Sequence, residues 1–323
     1  MQTATSFWTI AAGQGELRSR PLPAPTPHEV LVQMRFSGIS RGTESLVFHG
    51  RVPPSQHAAM RGPHQQGTFP FPVQYGYMAV GTVQTGPQKG TDIFCLHPHQ
   101  DWFVLPESQV APLPVGLPPE RAILTANMET ALNGIWDAGV GPGDHVTVVG
   151  AGVVGSLVAW LAGRIPGTRV TLVDILPERA ALAAALGIPF SLPQNAPTDQ
   201  DHVVHASGHP DGLDTALRCA GIESTVLEMS WYGDRLVPAR LGGAFHSRRL
   251  NLKSSQVGRL PPHRTPRWTY RRRLATAMTL LCDPVLDHLI DGESDFEALP
   301  DAMARVTERP GALCHRVVYP GAR

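Results

Sequence analysis

Cysteine is scarce in this chain: four residues in 323, Cys95, Cys219, Cys282 and Cys314, widely spaced and with no Cys-x-x-Cys pair. That pattern excludes a cysteine-built zinc lobe and offers no disulfide framework, so a reducing compartment is expected. Net charge is missing too. Lys+Arg and Asp+Glu are both 27, so overall charge argues neither for nor against a polyanionic partner. Gly or a charged residue breaks every apolar stretch before it reaches the length of a membrane span. The N-terminal MQTATSFWTIAAGQGELRSR lacks the basic start and apolar run of a secretory signal. The expectation is a cytoplasmic protein with no membrane partner. What the chain has in quantity is turn-forming residues, 32 Gly and 31 Pro, which suit a loop-rich β domain better than a helical bundle. Its length is comfortable for two domains.

The chain changes grammar near residue 127. Before it, short β runs alternate with Pro and Gly: Ser6 to Ala11, Glu29 to Phe36, Met78 to Thr85 and Trp102 to Leu105. Such spacing predicts a small barrel or sandwich. The stretch from His49 to Pro72, rich in Pro, His, Gln and Gly, has no period and the length of a lid or binding loop. After Asn127, strands alternate with helices: His145 to Gly150, Val153 to Gly163, Arg169 to Asp174, Pro177 to Gly187, Asp201 to Ser207, Asp211 to Cys219 and Ser224 to Ser230. That alternation predicts an α/β fold with a doubly wound parallel sheet. The rhythm is lost after about Ser255, and the chain closes with a helix (Leu299 to Thr307) and a strand (His315 to Tyr319). The expected division is 1–126, completed by 256–323, and 127–255.

A glycine-rich turn joins the first strand and helix of the second half: Gly150-Ala151-Gly152-Val153-Val154-Gly155. Gly150 permits a tight turn, and Gly152 lets the backbone approach a pyrophosphate. Gly155 lets the helix pack on the sheet, and its N-terminus, from Val153 and Val154, supplies N–H donors. Asp174 follows Gly155 by 19 residues and ends the next strand. There a carboxylate can accept ribose hydroxyls and would repel a 2′-phosphate, so NAD is favoured over NADP, although Arg179 can help hold a phosphate. Ser207 and Gly208, and Ser230 and Tyr232, end two later strands at the same carboxyl edge, either as cofactor contacts or as plain turn residues. The alternative for the whole motif is a turn in an α/β domain that binds no nucleotide.

With these residues in place, the chain resembles the medium-chain dehydrogenase/reductase superfamily over nearly its full length. The likeness is carried by Glu29-Val-Leu-Val, Gly76-Tyr-Met-Ala-Val-Gly81-Thr-Val, Pro142-Gly-Asp-His-Val-Thr-Val-Val-Gly150 and Leu252-Lys-Ser-Ser255-Gln-Val-Gly258. Ser37-Gly-Ile-Ser-Arg-Gly-Thr-Glu44 is locally similar to bacteriochlorophyllide dehydrogenase-like proteins. The resemblance implies a GroES-like domain plus a Rossmann domain, a substrate in the cleft between them, Ser255 near the nicotinamide, and a homodimer. It also exposes departures. Ser40 occupies the first position of the family's catalytic zinc site, Tyr77-Met78 stand where His-Glu would be, and Thr125-Ala-Asn-Met128 holds no good ligand. No catalytic zinc is therefore expected. One rival site remains, His97-Pro-His99-Gln-Asp101, whose alternating ligand types would share one face of a strand. Pro98 opposes a regular strand there, and a pocket lining without metal competes with the metal reading.

Without zinc, side chains must polarise the substrate and move its proton. The segments that the resemblance places at the cleft supply Tyr77, Ser40, Thr43 and Glu44 as catalytic candidates, and Arg41, His97, His99, Asn127 and Glu129 as substrate contacts. Tyr77 is the preferred proton donor or oxyanion partner, against the reading of a packed aromatic. Glu44 acts as a base or, preferably, anchors Arg41. Nine cations between Arg248 and Arg273 have no acid among them in the sequence. They form a solvated loop, a subunit contact, or a site for an anionic substrate group. No nucleic-acid module accompanies them. The expected activity is a zinc-independent, NAD-dependent hydride transfer between nicotinamide and an alcohol or carbonyl substrate. The alternatives are an NAD(P)H-dependent enone or quinone reductase and a catalytically silent dinucleotide-binding sensor or assembly protein.

Overall fold

A computed structural model describes residues 2–322. The chain forms two compact units, one built from the residues up to Ala126 together with those from Met278 onward, the other from Asn127 to Ala277.

In the first unit β1 (Thr3–Ala11), β2 (Gln14–Pro21), β3 (Glu29–Ile39) and α1 (Arg41–Phe48) come first. β4 (Gln66–Gly67), β5 (Val73–Gln74), β6 (Ala79–Val83), β7 (Asp92–Cys95), β8 (Trp102–Pro106) and β9 (Ala111–Pro112) follow. One sheet runs β2-β1-β5-β4. The larger one gathers β3, β6, β7 and β9, with β8 on β3. β3 shows why: Val30, Val32, Met34 and Phe36 are buried while Glu29, Leu31, Gln33 and Arg35 are not, the period of two that presents one face to a core. Phe7, Val32, Met34, Ile93, Phe103 and Leu105 meet in that core. The stretch from His49 to Pro72 is tied down at its end. β4 pairs with β5, Val73 pairs with Thr9 of β1, and Phe69 is buried.

After α2 (Pro119–Ala122) and α3 (Thr125–Ala138), the second unit alternates β10 (His145–Val149), α4 (Val153–Ala162), β11 (Arg169–Val173), α5 (Arg179–Ala185), β12 (Phe190–Ser191), β13 (Gln200–His205), α6 (Pro210–Cys219), β14 (Ala220–Glu228) and β15 (Asn251–Ser254). The sheet order is β12-β11-β10-β13-β14-β15, every pair parallel. Continuous apolar strands and the nearly wholly buried α4 follow from burial on both sides of the sheet. The order reverses between β10 and β13, so the loops after those strands diverge and leave the crevice where such sheets bind ligands.

The return to the first unit comes later than the expected boundary at residue 256, because α7 (Tyr270–Leu280) is pinned in the second unit. Arg273, almost fully buried, donates to Glu129 Oε1 at 3.0 Å and Asn133 Oδ1 at 2.6 Å. β16 (Ile290–Asp295), α8 (Leu299–Glu308) and β17 (Cys314–Val318) then complete the larger sheet, where β17 pairs with β3. Among the described residues no helix is long and apolar enough to cross a membrane.

Candidate functional site

The glycine-rich turn is shaped by contacts that no side chain could survive. Gly150 has φ of +110°, and a Cβ there would lie 2.6 Å from the Ser207 backbone nitrogen. A Cβ on Gly155 would lie 1.9 Å from the Gly150 carbonyl oxygen. Gly152, which caps α4, faces open space. This is the division of labour a dinucleotide pyrophosphate needs: a sharp turn, an open approach, and a helix pressed against the strand. Val153 and Val154 open α4 and are partly exposed. Asp174 directly follows β11 and braces the turn, its Oδ2 accepting from the Ala151 N–H at 2.7 Å and its Oδ1 from the Leu176 N–H at 3.0 Å. Each oxygen keeps a second lone pair for a ligand hydroxyl. Arg179 is buried at the start of α5.

Ser207, Gly208, Ser230 and Tyr232 are brought together at the ends of β13 and β14. The Gly208 N–H donates to Ser230 Oγ at 3.1 Å. Two residues that the sequence reading passed over organise them. His205, fully buried, places Nδ1 2.7 Å from Glu228 Oε2 and Nε2 2.6 Å from Ser207 Oγ. Glu228 also accepts from the Ser230 N–H at 2.7 Å and the Tyr232 hydroxyl at 3.0 Å. Burial alone would raise the Glu228 pKa, but the His205 hydrogen bond and charge, helped by Ser230, hold it below the ordinary carboxylate value. Burial and the neighbouring Glu228 raise the Tyr232 phenol. A signal was present in the sequence: a polar residue closes each apolar strand, after Val203-Val204 and after Val226-Leu227. Ser255 stands beside this cluster, its N–H donating to the Glu228 carbonyl at 3.0 Å and its hydroxyl to Asp137 Oδ2 at 2.7 Å.

In the first unit, Tyr77, Ser40, Thr43 and Glu44 do form one cluster. Ser40 caps α1, and its N–H donates to Glu44 Oε2 at 2.6 Å. Burial, then the Glu44 charge, raise the Tyr77 phenol, while hydrogen bonds from Ser40 and Thr43 oppose the rise. Glu44 is anchored by an unexpected partner: its Oε1 lies 2.7 Å from His99 Nε2. His99 Nδ1 in turn lies 2.7 Å from Ser37 Oγ, which meets the Tyr319 hydroxyl at 3.0 Å. His99 is thereby part of an almost fully buried hydrogen-bonded chain. Arg41 is exposed at the first turn of α1.

The rival ligand set does not converge. His97 stacks on Phe103 with ring centroids 3.9 Å apart and turns Nδ1 to the Pro98 carbonyl. Burial lowers its pKa to about 3, so it is uncharged at neutral pH. Asp101 accepts from the Thr5 and Trp102 N–H groups, each at 2.7 Å. Among the described residues no three His, Cys, Asp or Glu side chains come together to hold a metal ion. In the second unit Glu129 is committed to Arg273, and burial raises its pKa although Arg273 pulls it back. Asn127 is buried, with its side-chain oxygen unpartnered among the described residues. The basic run is partly neutralised by distant acids: Arg249 pairs with Glu223, Lys253 with Asp137, and Arg273 with Glu129.

No protein-family model matches the sequence. D-guloside 3-dehydrogenase of Escherichia coli K12 is 26% identical over 322 residues, covering 88% of this chain and 90% of that protein. Among solved structures, L-idonate 5-dehydrogenase of Escherichia coli K-12 superposes with a TM-score of 0.79 at 15% identity, covering 98% of each chain. A structure described as a zinc-binding dehydrogenase of Sinorhizobium meliloti bound to NADP superposes with a TM-score of 0.78 at 18% identity, covering 98% of this chain and 100% of that one.

Proposed function

Because the chain belongs to the medium-chain dehydrogenase/reductase superfamily, we propose that it is an NAD-dependent oxidoreductase acting on an alcohol or its carbonyl counterpart, without a catalytic zinc. The observation that carries the reading is the turn at Gly150 and Gly155, where the backbone contacts leave no room for a methyl group. The residues fit the cofactor. The open face at Gly152 and the N–H groups opening α4 would receive the pyrophosphate, and Asp174 would accept ribose hydroxyls. The same carboxylate supports NAD over NADP. The bound nicotinamide would supply a hydride acceptor or donor at its C4.

This chain's own residues would manage the oxygen and its proton. Tyr77, kept protonated by burial and the Glu44 charge, donates a hydrogen bond to the substrate oxygen. Ser40 and Thr43 hold the phenol, and the buried Glu44–His99 pair fixes the end of α1 that carries them. A family-type zinc does not fit this donor set. Zinc takes thiolate, imidazole or carboxylate ligands, whereas Ser40 offers a hydroxyl and Tyr77 a phenol held far from ionisation. The relatives support a polyol-like alcohol, since one acts on a D-guloside and another on L-idonate. The cations of the basic run that form no ion pair among the described residues support an acidic group on it.

A homodimer belongs to the same reading. β15 is one of the two edges of the parallel sheet, with all four residues exposed, including Leu252. An unpaired, partly apolar edge is a template for a second strand.

Two measurements on the purified protein test the reading. Tight NADH binding by fluorescence titration with less than one-tenth of an equivalent of zinc by elemental analysis is the expected result, the threshold being an order-of-magnitude criterion for a vacant site. About one zinc retained per chain would overturn the metal-free mechanism, and absence of nicotinamide dinucleotide binding would overturn the function.

A further inference from the structure

From Gln256 to Cys282 the sequence holds six arginines and no acid. Arg273 is committed to Glu129, whereas Arg259, Arg264, Arg267, Arg271 and Arg272 form no ion pair among the described residues. A solvated run of this kind needs no order, yet this one is built into a frame. Trp136, buried in the last turn of α3, packs against Trp268 with ring centroids 4.6 Å apart. Each ring carries a guanidinium: Arg264 Cζ lies 5.0 Å from the Trp136 centroid and Arg272 Cζ 4.0 Å from that of Trp268.

A tight turn links the two halves of this stack. The Arg264 carbonyl accepts the N–H groups of Arg267 at 3.0 Å and Trp268 at 2.9 Å, and Pro261, Pro262 and Pro266 stiffen the backbone. Arg272 reaches back to the turn, donating from Nη1 to the Arg267 carbonyl at 3.0 Å. Thr269 caps α7 by accepting the Arg272 N–H at 3.1 Å, and the Tyr270 hydroxyl ties the loop to the Gly258 carbonyl at 2.9 Å. Arg264, Arg267 and Arg272 therefore meet on one stiff turn. The Arg264 guanidinium makes no hydrogen bond among the described residues, and its Nε is buried. A guanidinium resting on an indole has already lost rotamer freedom and is weakly hydrated, so it meets an anion at low ordering cost.

The chemistry narrows the ligand. Single-stranded nucleic acid needs open aromatic faces for its bases, and here guanidinium groups stand over both indoles. A second copy of this chain docking turn against turn would set cations against cations. A single carboxylate leaves most of the local charge unbalanced, whereas a phosphate monoester brings nearly two charges and three acceptor oxygens to the arginine forks. We propose that the turn from Pro261 to Trp268, with Arg264, Arg267 and Arg272, is a binding site for a phosphate monoester dianion. The proposal deepens the acidic-group reading given above and rests on it only for which molecule carries the phosphate. The indole pair is the scaffold of the site, and the arginine forks are its contacts.

The test is calorimetric titration of the full chain with inorganic phosphate and with a hexitol phosphate, at matched ionic strength, with acetate as the comparison anion. Arg267→Gln, whose side chain lies outside the stack, removes one fork and is expected to weaken phosphate binding roughly tenfold. Arg272→Lys keeps the charge and loses the fork, and weaker binding is expected there too. Arg259→Gln, outside the turn, should change it less than about twofold. Equal weakening by Arg259→Gln and Arg267→Gln would overturn the site in favour of a diffuse field. Acetate binding as tightly as phosphate, or no phosphate binding by the wild type up to about 10 mM, would overturn it outright. NADH formation from a hexitol phosphate but not from the hexitol assigns the phosphate to the substrate, and binding without turnover assigns it to a separate ligand; both support the site. NADH titration on the same samples separates the two readings: phosphate binding without NADH binding would overturn the dinucleotide reading alone.

Discussion

At Gly155 one methyl group decides whether the turn exists. Its Cβ would need to occupy space 1.9 Å from the Gly150 carbonyl oxygen, a backbone atom that cannot swing away. Gly155→Ala is therefore expected to cost about 1–3 kcal/mol of stability through overpacking and to weaken NADH binding at least about tenfold by opening the turn. Urea unfolding and fluorescence titration on the same preparation check both. Tyr77 is the residue on which the proposed chemistry turns. Tyr77→Phe keeps the ring and its edge contact with Tyr75, whose centroid is 6.1 Å away, while removing the hydroxyl. The expected result is a fall in kcat of roughly a hundredfold or more with little change in NADH affinity. Equal kcat for wild type and variant across a panel of polyols would remove Tyr77 from the mechanism.

Among the elements, the joined ends of β13 and β14 carry a pH dependence whose sign follows from Glu228. Its pKa in the folded protein lies below the ordinary value of 4.5. The pair therefore contributes stability that is present above 4.5 and is lost as pH falls through the lower folded value. Wild type should melt above Glu228→Gln at neutral pH, and the gap should close on acidification. A gap that widens in acid would contradict the assignment. Helices α3 and α7 are held by a second buried pair, Arg273 and Glu129, with side chains only 4% and 8% exposed. Removing one partner leaves the other charge buried and alone, so Arg273→Ala is expected to cost about 3–5 kcal/mol in urea unfolding. Neither pair was legible from the sequence. Glu129 and Arg273 are 144 residues apart, and no local pattern joins them.

For the whole molecule, the edge strand β15 makes a mass prediction. A dimer built through it would sediment at twice the 34.8 kDa chain mass, and Leu252→Asp should return the protein to a monomer. A wild type that sediments as a monomer at micromolar concentration would refute the association.

By itself the sequence determined the α/β fold class, the alternation of strands and helices after Asn127, and the glycine positions of the turn. These features are local: strand period, apolar runs and the steric demands of glycine are written in neighbouring residues. It also placed a serine at 40 and a tyrosine at 77, residue types outside zinc's usual thiolate, imidazole and carboxylate ligands. Only the tertiary structure decided which side chains face one another. His97, His99 and Asp101 look like one ligand set in a line of five residues, yet each is drawn to a different partner: Phe103, Glu44, and the Thr5 and Trp102 amides. His205 and Glu228 lie 23 residues apart and become one unit because parallel pairing of β13 with β14 sets them side by side in register. Hydrogen-bond partners are chosen by proximity in space and by the cost of burying an unpaired polar group, and neither is encoded in the order of residues along the chain.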